Sequence, residues 1–113
     1  MKNVISVAYH LSVSGGASGT VSIYSVPGAR KLKLKSIRVS FPAGTYSELK
    51  IALMRGIEKI FPVEGEVRGD NEVVEAEVDE ELSSGSTLRI AYENTNATQT
   101  RECEILITGV LDE

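Results

Sequence analysis

Apolar residues occupy every second position over most of this chain, and no window shows the spacing of an amphipathic helix. The first run shows the alternation best, and its apolar members are Ile5, Val7, Tyr9, Leu11 and Val13. Side chains two residues apart share one face of an extended strand, so this spacing predicts a strand that is buried on one side. The small residues 14–19 then predict a flexible connection to the next strand.

The same alternation predicts seven more strands. They cover residues 20–26, 31–41, 48–54, 57–63, 72–79, 87–92 and about 103–110. Turn-forming residues separate them, and Arg55-Gly56 predicts a hairpin between the strands on either side of it. Short strands with such turns between them are typical of a β-sandwich or a closed barrel.

The apolar positions change parity inside the third strand. Leu32 and Leu34 are even-numbered, whereas the apolar residues that follow Ser36 are odd-numbered. A regular strand would turn one of these two sets toward solvent. We therefore predict a β-bulge near Lys35 and Ser36, or a bend there from one sheet toward the other.

These patterns predict a single all-β domain over residues 1–113, a two-sheet antiparallel β-sandwich of about eight strands. The number of strands favours jelly-roll topology. An immunoglobulin-like sandwich is the second choice, because the chain has no tryptophan and only one cysteine. A five-stranded OB-fold would leave too much of the chain unused. A domain of 113 residues can bury a core without disulfides or metal ions.

The net charge of −4 conceals an uneven distribution. Residues 1–60 carry nine basic and two acidic side chains, and residues 61–113 carry three basic and fourteen acidic ones. The basic half either binds a ligand or pairs with the acidic half inside one sheet. Lys31, Lys33 and Lys35 have the same spacing as Glu75, Glu77 and Asp79, so we predict that these two strands are antiparallel neighbours, with Lys33 and Glu77 as the pair to test.

The sequence contains no pattern typical of an active site, and we expect no enzyme and no cofactor. His10 is predicted on the outward face of the first strand, and Cys103 on an inward face, where a thiol is unreactive. The acidic clusters around Asp70 and Asp79 match no calcium-loop pattern and are interpreted as solvated loops. The basic stretch near Lys33 is interleaved with core residues rather than exposed aromatics, so no nucleic acid is expected.

Two apolar side chains face away from the predicted core. Leu106 lies between Ile105 and Ile107, and Met54 follows the alternation that ends at Leu53, so both point outward. A strand that is apolar on both faces needs cover on both. We therefore predict a homo-oligomer or a protein partner, with Met54 and Leu106 as candidate subunit-interface residues.

The predicted function is structural or in assembly, in concrete form a small jelly-roll component of a virion or similar particle. This rests on fold-level analogy. The alternative is a module that binds carbohydrate or another ligand, with Tyr24 and Tyr46 as the candidate stacking residues. No signal peptide and no apolar run long enough to cross a membrane is predicted, so we expect no membrane partner and a cytoplasmic or virion location.

Overall fold

A computed structural model describes residues 2–112, and its regular elements are all β-strands. The eight strands are β1 (Lys2–Val13), β2 (Ser18–Ser25), β3 (Lys31–Phe41), β4 (Leu49–Arg55), β5 (Glu58–Phe61), β6 (Glu72–Leu82), β7 (Thr87–Asn94) and β8 (Arg101–Asp112). They form two four-stranded antiparallel sheets. The predicted all-β sandwich is confirmed.

The strand order is that of a jelly roll. One sheet, called sheet A, has the order β1-β8-β3-β6, and the other, called sheet B, has the order β2-β7-β4-β5. Successive strands cross from one sheet to the other, except that β4 and β5 form the predicted hairpin within sheet B. The first and last strands are neighbours, in an antiparallel register that places Lys2 opposite Asp112. This arrangement confirms jelly-roll topology over the immunoglobulin-like alternative.

The predicted bulge lies in β3. The register of β3 against both β6 and β8 shifts between Leu34 and Ser36. The extra residue changes the parity of the strand, so Leu34 and Ile37 both point into the core, with 0% and 1% of their surface exposed. On β8, Gly109 lies against this bulge, and a Cβ atom there would sit 2.9 Å from the Lys33 carbonyl oxygen.

The core lies between the two sheets and is almost entirely aliphatic. Its largest fully buried side chains are Leu32, Leu34, Ile37, Leu49, Ile51, Leu53, Leu82, Leu88, Ile90, Ile105, Ile107 and Val13. They come from six of the eight strands. Where a strand contributes several, they lie two residues apart, as the pleat requires, except across the bulge in β3. The strands are thereby fixed in register, because a slip of one residue would expose them.

Several strands differ in length from the sequence prediction. β7 continues to Asn94, and β8 runs from Arg101 to Asp112, so both are longer than expected. β6 continues to Leu82, through residues expected to form a polar loop, because Leu82 is fully buried and pairs with Leu32. β5 is limited to Glu58–Phe61, and Val63, expected inside the strand, is 91% exposed.

The prediction that the basic strand β3 and the acidic strand β6 are antiparallel neighbours is confirmed, but their register differs from the predicted one. β3 and β6 are antiparallel neighbours on the outer surface, and Lys33 lies opposite Glu81, with Asp79 as its nearest carboxylate at 4.0 Å. Glu77 lies opposite Ser36, so Lys33 and Glu77 are not the contacting pair. The bulge accounts for only one residue of this shift in register, because the register from Ser36 onward would itself place Lys33 opposite Glu80. All these side chains are exposed, and each pair contributes at most about 1 kcal/mol.

Candidate functional site

The two predicted interface residues lie on opposite sides of the molecule. Leu106 is on the outer face of sheet A, opposite Ala8 on β1 and Arg38 on β3. Met54 is on the outer face of sheet B, opposite Arg89 on β7 and Lys59 on β5. Both are half-buried by their neighbours. A single contact surface therefore cannot contain both residues of one chain.

Leu106 lies in a small uncharged surface, which we call the neutral patch. It is formed by outward residues of β1 and β8: Val4, Ser6, Ala8, Leu106, Thr108 and Val110. Val4 is 77% exposed and lies opposite Val110. Charged side chains surround the patch, with Glu104 beyond one end and Lys33 and Arg38 along β3. An uncharged centre with a charged rim is the usual composition of a protein contact surface.

The surroundings of Met54 are different. The register places Met54 between two cationic side chains, Arg89 and Lys59. The next outward residue on β4, Ala52, is only 5% exposed and lies opposite Ala91. Little continuous apolar surface is left around Met54, so this face is a weaker candidate for contact than the neutral patch.

The two candidate stacking tyrosines are not brought together. Tyr24 pairs with Leu88 at the start of β7 and is half-buried against the core. Tyr46 lies in the β3–β4 loop, close to the other end of β7, where Asn94 pairs with Leu49. Six residues of strand separate these positions, which is roughly 20 Å. One sugar ring cannot stack on both.

Tyr46 keeps an exposed ring, because 68% of its surface is accessible. The Arg101 guanidinium lies 5.7 Å from the centre of that ring, in a cation–π arrangement. Arg101 is fixed in turn by Glu48, at 3.0 Å. The cation therefore covers one face of the ring and leaves the other for contact with another molecule.

The most concentrated polar arrangement on sheet A was not predicted from the sequence. His10, on the outer face of β1, is hydrogen-bonded through Nδ1 to Glu104 of β8, and its Nε2 lies 3.6 Å from Glu102. The hydrogen bond and charge of Glu104 raise the pKa of His10 above its ordinary 6.5, and Glu102 adds to this. The sequence placed His10 outward, but only the register of β1 against β8 places both glutamates beside it.

A cleft of about 370 Å³ opens beside this histidine, between the β1–β8 end and the loops around Pro42 and Asn71. Ser40 also lines it. A serine, a histidine and a glutamate in one cleft suggest a nucleophile relay, but both ring nitrogens of His10 face carboxylates. The imidazole is therefore not placed to take a proton from the Ser40 hydroxyl.

Cys103 lies behind the cleft and is 1% exposed, as the sequence predicted. Burial, with the charge of Glu104 as a smaller cause, raises the pKa of its thiol to about 12. The thiol is therefore protonated at neutral pH and does not act as a nucleophile.

The two acidic clusters do not gather around one point. Asp79, Glu80 and Glu81 lie within strand β6, whereas Asp70 binds backbone groups of a loop. Asp70 accepts hydrogen bonds from the backbone N–H groups of Gly44 and Thr45, at 2.8 and 3.1 Å, and so fastens the β3–β4 loop. Within residues 2–112, no three His, Cys, Asp or Glu side chains are grouped so that they would hold a metal ion.

Asn94 is the buried polar residue with the most hydrogen bonds, and it organises one end of the sandwich. Its side-chain amide donates to the carbonyl oxygens of Val13, Ser14 and Gln99, at 3.0, 3.3 and 2.8 Å. Its Oδ1 accepts the backbone N–H of Asn96. The residue thus joins the β1–β2 connection to the β7–β8 loop. The β1–β2 connection, expected to be flexible, is closely packed, since a Cβ on Gly15 would lie 2.6 Å from the Thr98 carbonyl carbon.

These features define the described part of the chain as a jelly-roll β-sandwich. No family model matches the sequence, and no curated protein sequence is significantly similar to it. Solved structures are similar in fold. A chain of Sulfolobus Turreted Icosahedral Virus matches 97% of this chain with a TM-score of 0.62 and 13% identity, although this chain spans only 30% of it.

Two further structures match along almost their whole length. The acidic stable capsid structure of Helicobacter pylori bacteriophage KHP30 contains a chain with TM-score 0.57 and 13% identity, covering 98% of this chain and 93% of its own. The crystal structure of FlhE gives a TM-score of 0.54 and 12% identity, covering 95% and 96%. At these identities the similarity establishes the fold alone.

A search of residues 2–112 for a helix able to span a bilayer gives no candidate.

The protonation of His10 provides a direct check of the glutamate pair. We expect the midpoint of its proton-NMR titration to lie above 6.5, and Glu104→Gln to lower that midpoint more than Glu102→Gln does. Because the pKa of His10 is higher in the folded state than in the unfolded state, its interaction with the glutamates stabilises the fold. This stabilisation is complete at a pH below the unfolded-state pKa, and it is lost as the pH rises through the folded-state pKa. Because the chain has one histidine, its signal is unambiguous. An unchanged midpoint in Glu104→Gln would contradict the assignment.

Proposed function

We propose that this protein is a non-enzymatic structural subunit, a small jelly-roll component of a virion or similar particle, which acts by contacting further copies of itself or a protein partner. The jelly roll that residues 2–112 form carries this proposal. The capsid chain of bacteriophage KHP30 supports it, because that chain matches over 93% of its own length.

The chemistry of the described side chains favours the same conclusion. His10 is held between two carboxylates, and the thiol of Cys103 is buried with a raised pKa. Neither supplies a nucleophile or a free base. The outer faces, by contrast, present a neutral patch with charged neighbours, which suits contact with another protein better than it suits catalysis.

The neutral patch, with Leu106 at its centre, is the proposed contact surface of sheet A. Leu106 is flanked by the small side chain of Ala8 on one strand and by the Arg38 stem on the other. Met54, between cations on the other outer face, would mark a second and separate contact. A particle subunit meets several neighbours, so two contact surfaces on opposite sides are consistent with the role.

The mass of the purified protein in solution tests this proposal. Sedimentation velocity over a range of concentrations is expected to show an oligomer, and Leu106→Glu is expected to shift it to monomer, because a charge at the centre of a contact loses its water on association. The matched control is Ala97→Glu, which adds the same charge in the exposed β7–β8 loop rather than on either outer face. Circular dichroism confirms that both variants are folded.

A monomer at every concentration, with no change in Leu106→Glu, would contradict self-assembly. If that monomer also binds members of a glycan panel, and Tyr46→Ala abolishes the binding, the carbohydrate-module hypothesis takes its place. The exposed face of the Tyr46 ring is the feature that such binding would use.

A further inference from the structure

The two sheets have four edge strands, β1 and β6 in sheet A and β2 and β5 in sheet B. The free side of an edge strand exposes backbone N–H and C=O groups that can pair with another strand. Sheets that remain unpaired usually carry a device against this, such as a short strand, a bulge, a proline or a row of charges.

Three of the four edges carry such a device. β5 is only four residues long. β2 has an irregular register between Ser22 and Tyr24, which distorts its free side. β6 carries six acidic side chains and no basic one, so two copies of this edge would repel each other.

β1 carries none of these devices. It is twelve residues long, and its register with β8 runs unbroken from Lys2 to Val13. It contains neither proline nor glycine, and no charged side chain lies between Asn3 and Tyr9. Among the described strands, β1 is therefore the edge that is open to pairing.

The inward side chains of β1 are also incompletely covered. Ile5, Val7 and Tyr9 point toward the core but are only half-buried. Their neighbours on β8, Ile105 and Ile107, are 1% and 2% exposed. The difference arises because β8 has a strand on both sides and β1 has one on a single side.

We propose that two copies of this chain pair through β1, antiparallel, so that two four-stranded sheets become one continuous sheet of eight. A two-fold axis perpendicular to the sheet keeps the inner faces of both copies on the same side. The half-buried Ile5, Val7 and Tyr9 of one copy then meet those of the other. We identify the partner as a second copy for two reasons. The segment from Asn3 to Tyr9 has no charged side chain, so it needs no oppositely charged partner. The two-fold axis also places the apolar inward side chains of β1 in one copy against the same side chains of the other.

This inference rests on the proposed assembly function and deepens it, since it names one contact through which the subunits join. It is a different contact from the neutral patch. The patch uses outward side chains, whereas β1 pairing uses the backbone and the inward side chains of the strand edge.

Amide hydrogen exchange distinguishes the two contacts. In an antiparallel edge strand only every second N–H is bonded to its neighbour, so the amides of β1 alternate between slow and fast exchange. We expect this alternation at low protein concentration, and uniform slow exchange from Asn3 to Tyr9 at high concentration. Contact through the neutral patch alone would leave the alternation unchanged.

A charge on the inward side of β1 provides the second test. Val7→Lys is expected to raise the dissociation constant of the pair by about tenfold or more, because two like charges then meet where two valines were buried. Val74→Lys is the matched control, because Val74 is also inward and half-buried, on the other edge strand of sheet A. This control is expected to leave the dissociation constant unchanged.

The outcomes separate the inference from the proposed function. If Leu106→Glu dissociates the oligomer while the β1 amides alternate at every concentration, β1 pairing is overturned and the assembly function stands. If the protein is a monomer at every concentration, both β1 pairing and self-assembly are overturned. If Val7→Lys does not fold, amide hydrogen exchange of the wild-type protein still tests whether β1 pairs with a second copy.

Discussion

Replacing Asn94 by alanine is expected to lower the free energy of unfolding by about 3 kcal/mol, because it removes a buried amide that bonds to several backbone groups. Asn94 is 2% exposed and donates to three backbone carbonyls, one at the end of β1, one in the β1–β2 connection and one in the β7–β8 loop. In the wild type these bonds replace those that the carbonyls would make to water. Alanine removes the donors but leaves the carbonyls where they are.

Urea unfolding followed by circular dichroism measures this change. The matched control is Gln99→Ala, in the same end of the molecule, where only the backbone oxygen bonds to Asn94 and the residue is exposed. We expect the control to change the unfolding free energy by less than about 0.5 kcal/mol. Equal effects of the two substitutions would show that Asn94 has no special structural role.

Gly109→Val is the second substitution with a large expected effect, a loss of about 3 kcal/mol or more. A Cβ at this position would lie 2.9 Å from the Lys33 carbonyl oxygen and 3.0 Å from the Leu32 Cδ1 atom. The backbone oxygen cannot move without breaking the bulged pairing between β3 and β8. A branched side chain would therefore force the two strands apart in the centre of sheet A.

Gly28 offers a control with the same residue type. Nothing lies within 4 Å of a Cβ built on Gly28, so Gly28→Ala is expected to leave the melting temperature nearly unchanged. Differential scanning fluorimetry compares the two variants with the wild type. A tolerated valine at position 109 would mean that the strands at the bulge are less closely packed than described.

Much of the fold followed from the alternation of apolar residues. The period of two located all eight strands, and the parity change after Leu34 located the bulge to within one residue. Both rest on the same physical requirement, that inward positions be apolar. The strand number then selected the jelly roll.

The register across strands did not follow from the sequence. The spacing of the charges on β3 and β6 indicated neighbouring strands but not their offset, and Lys33 lies nearest Asp79 and not Glu77. The cluster of His10 with Glu102 and Glu104 was not predicted either. His10 is distant in sequence from the two glutamates, and only the register of β1 against β8 brings them together.

Asn94 could have been noticed from its position. It is in phase with Leu88, Ile90 and Tyr92, so alternation turns its side chain inward. A polar residue at an inward position implies bonded partners, but the sequence does not reveal which ones. The sequence also did not predict that Met54 and Leu106 lie on opposite sides of the molecule. Alternation shows which side chains of a strand point outward, but it does not show to which sheet the strand belongs.

The pairing of β1 with β8 has a consequence for the order of events during synthesis. β8 lies between β1 and β3, so sheet A cannot be completed until β8 has left the ribosome. Until then β1 lacks the strand with which it pairs. Contacts between residues so distant in sequence also form slowly, so we expect refolding on the millisecond-to-second scale of all-β domains.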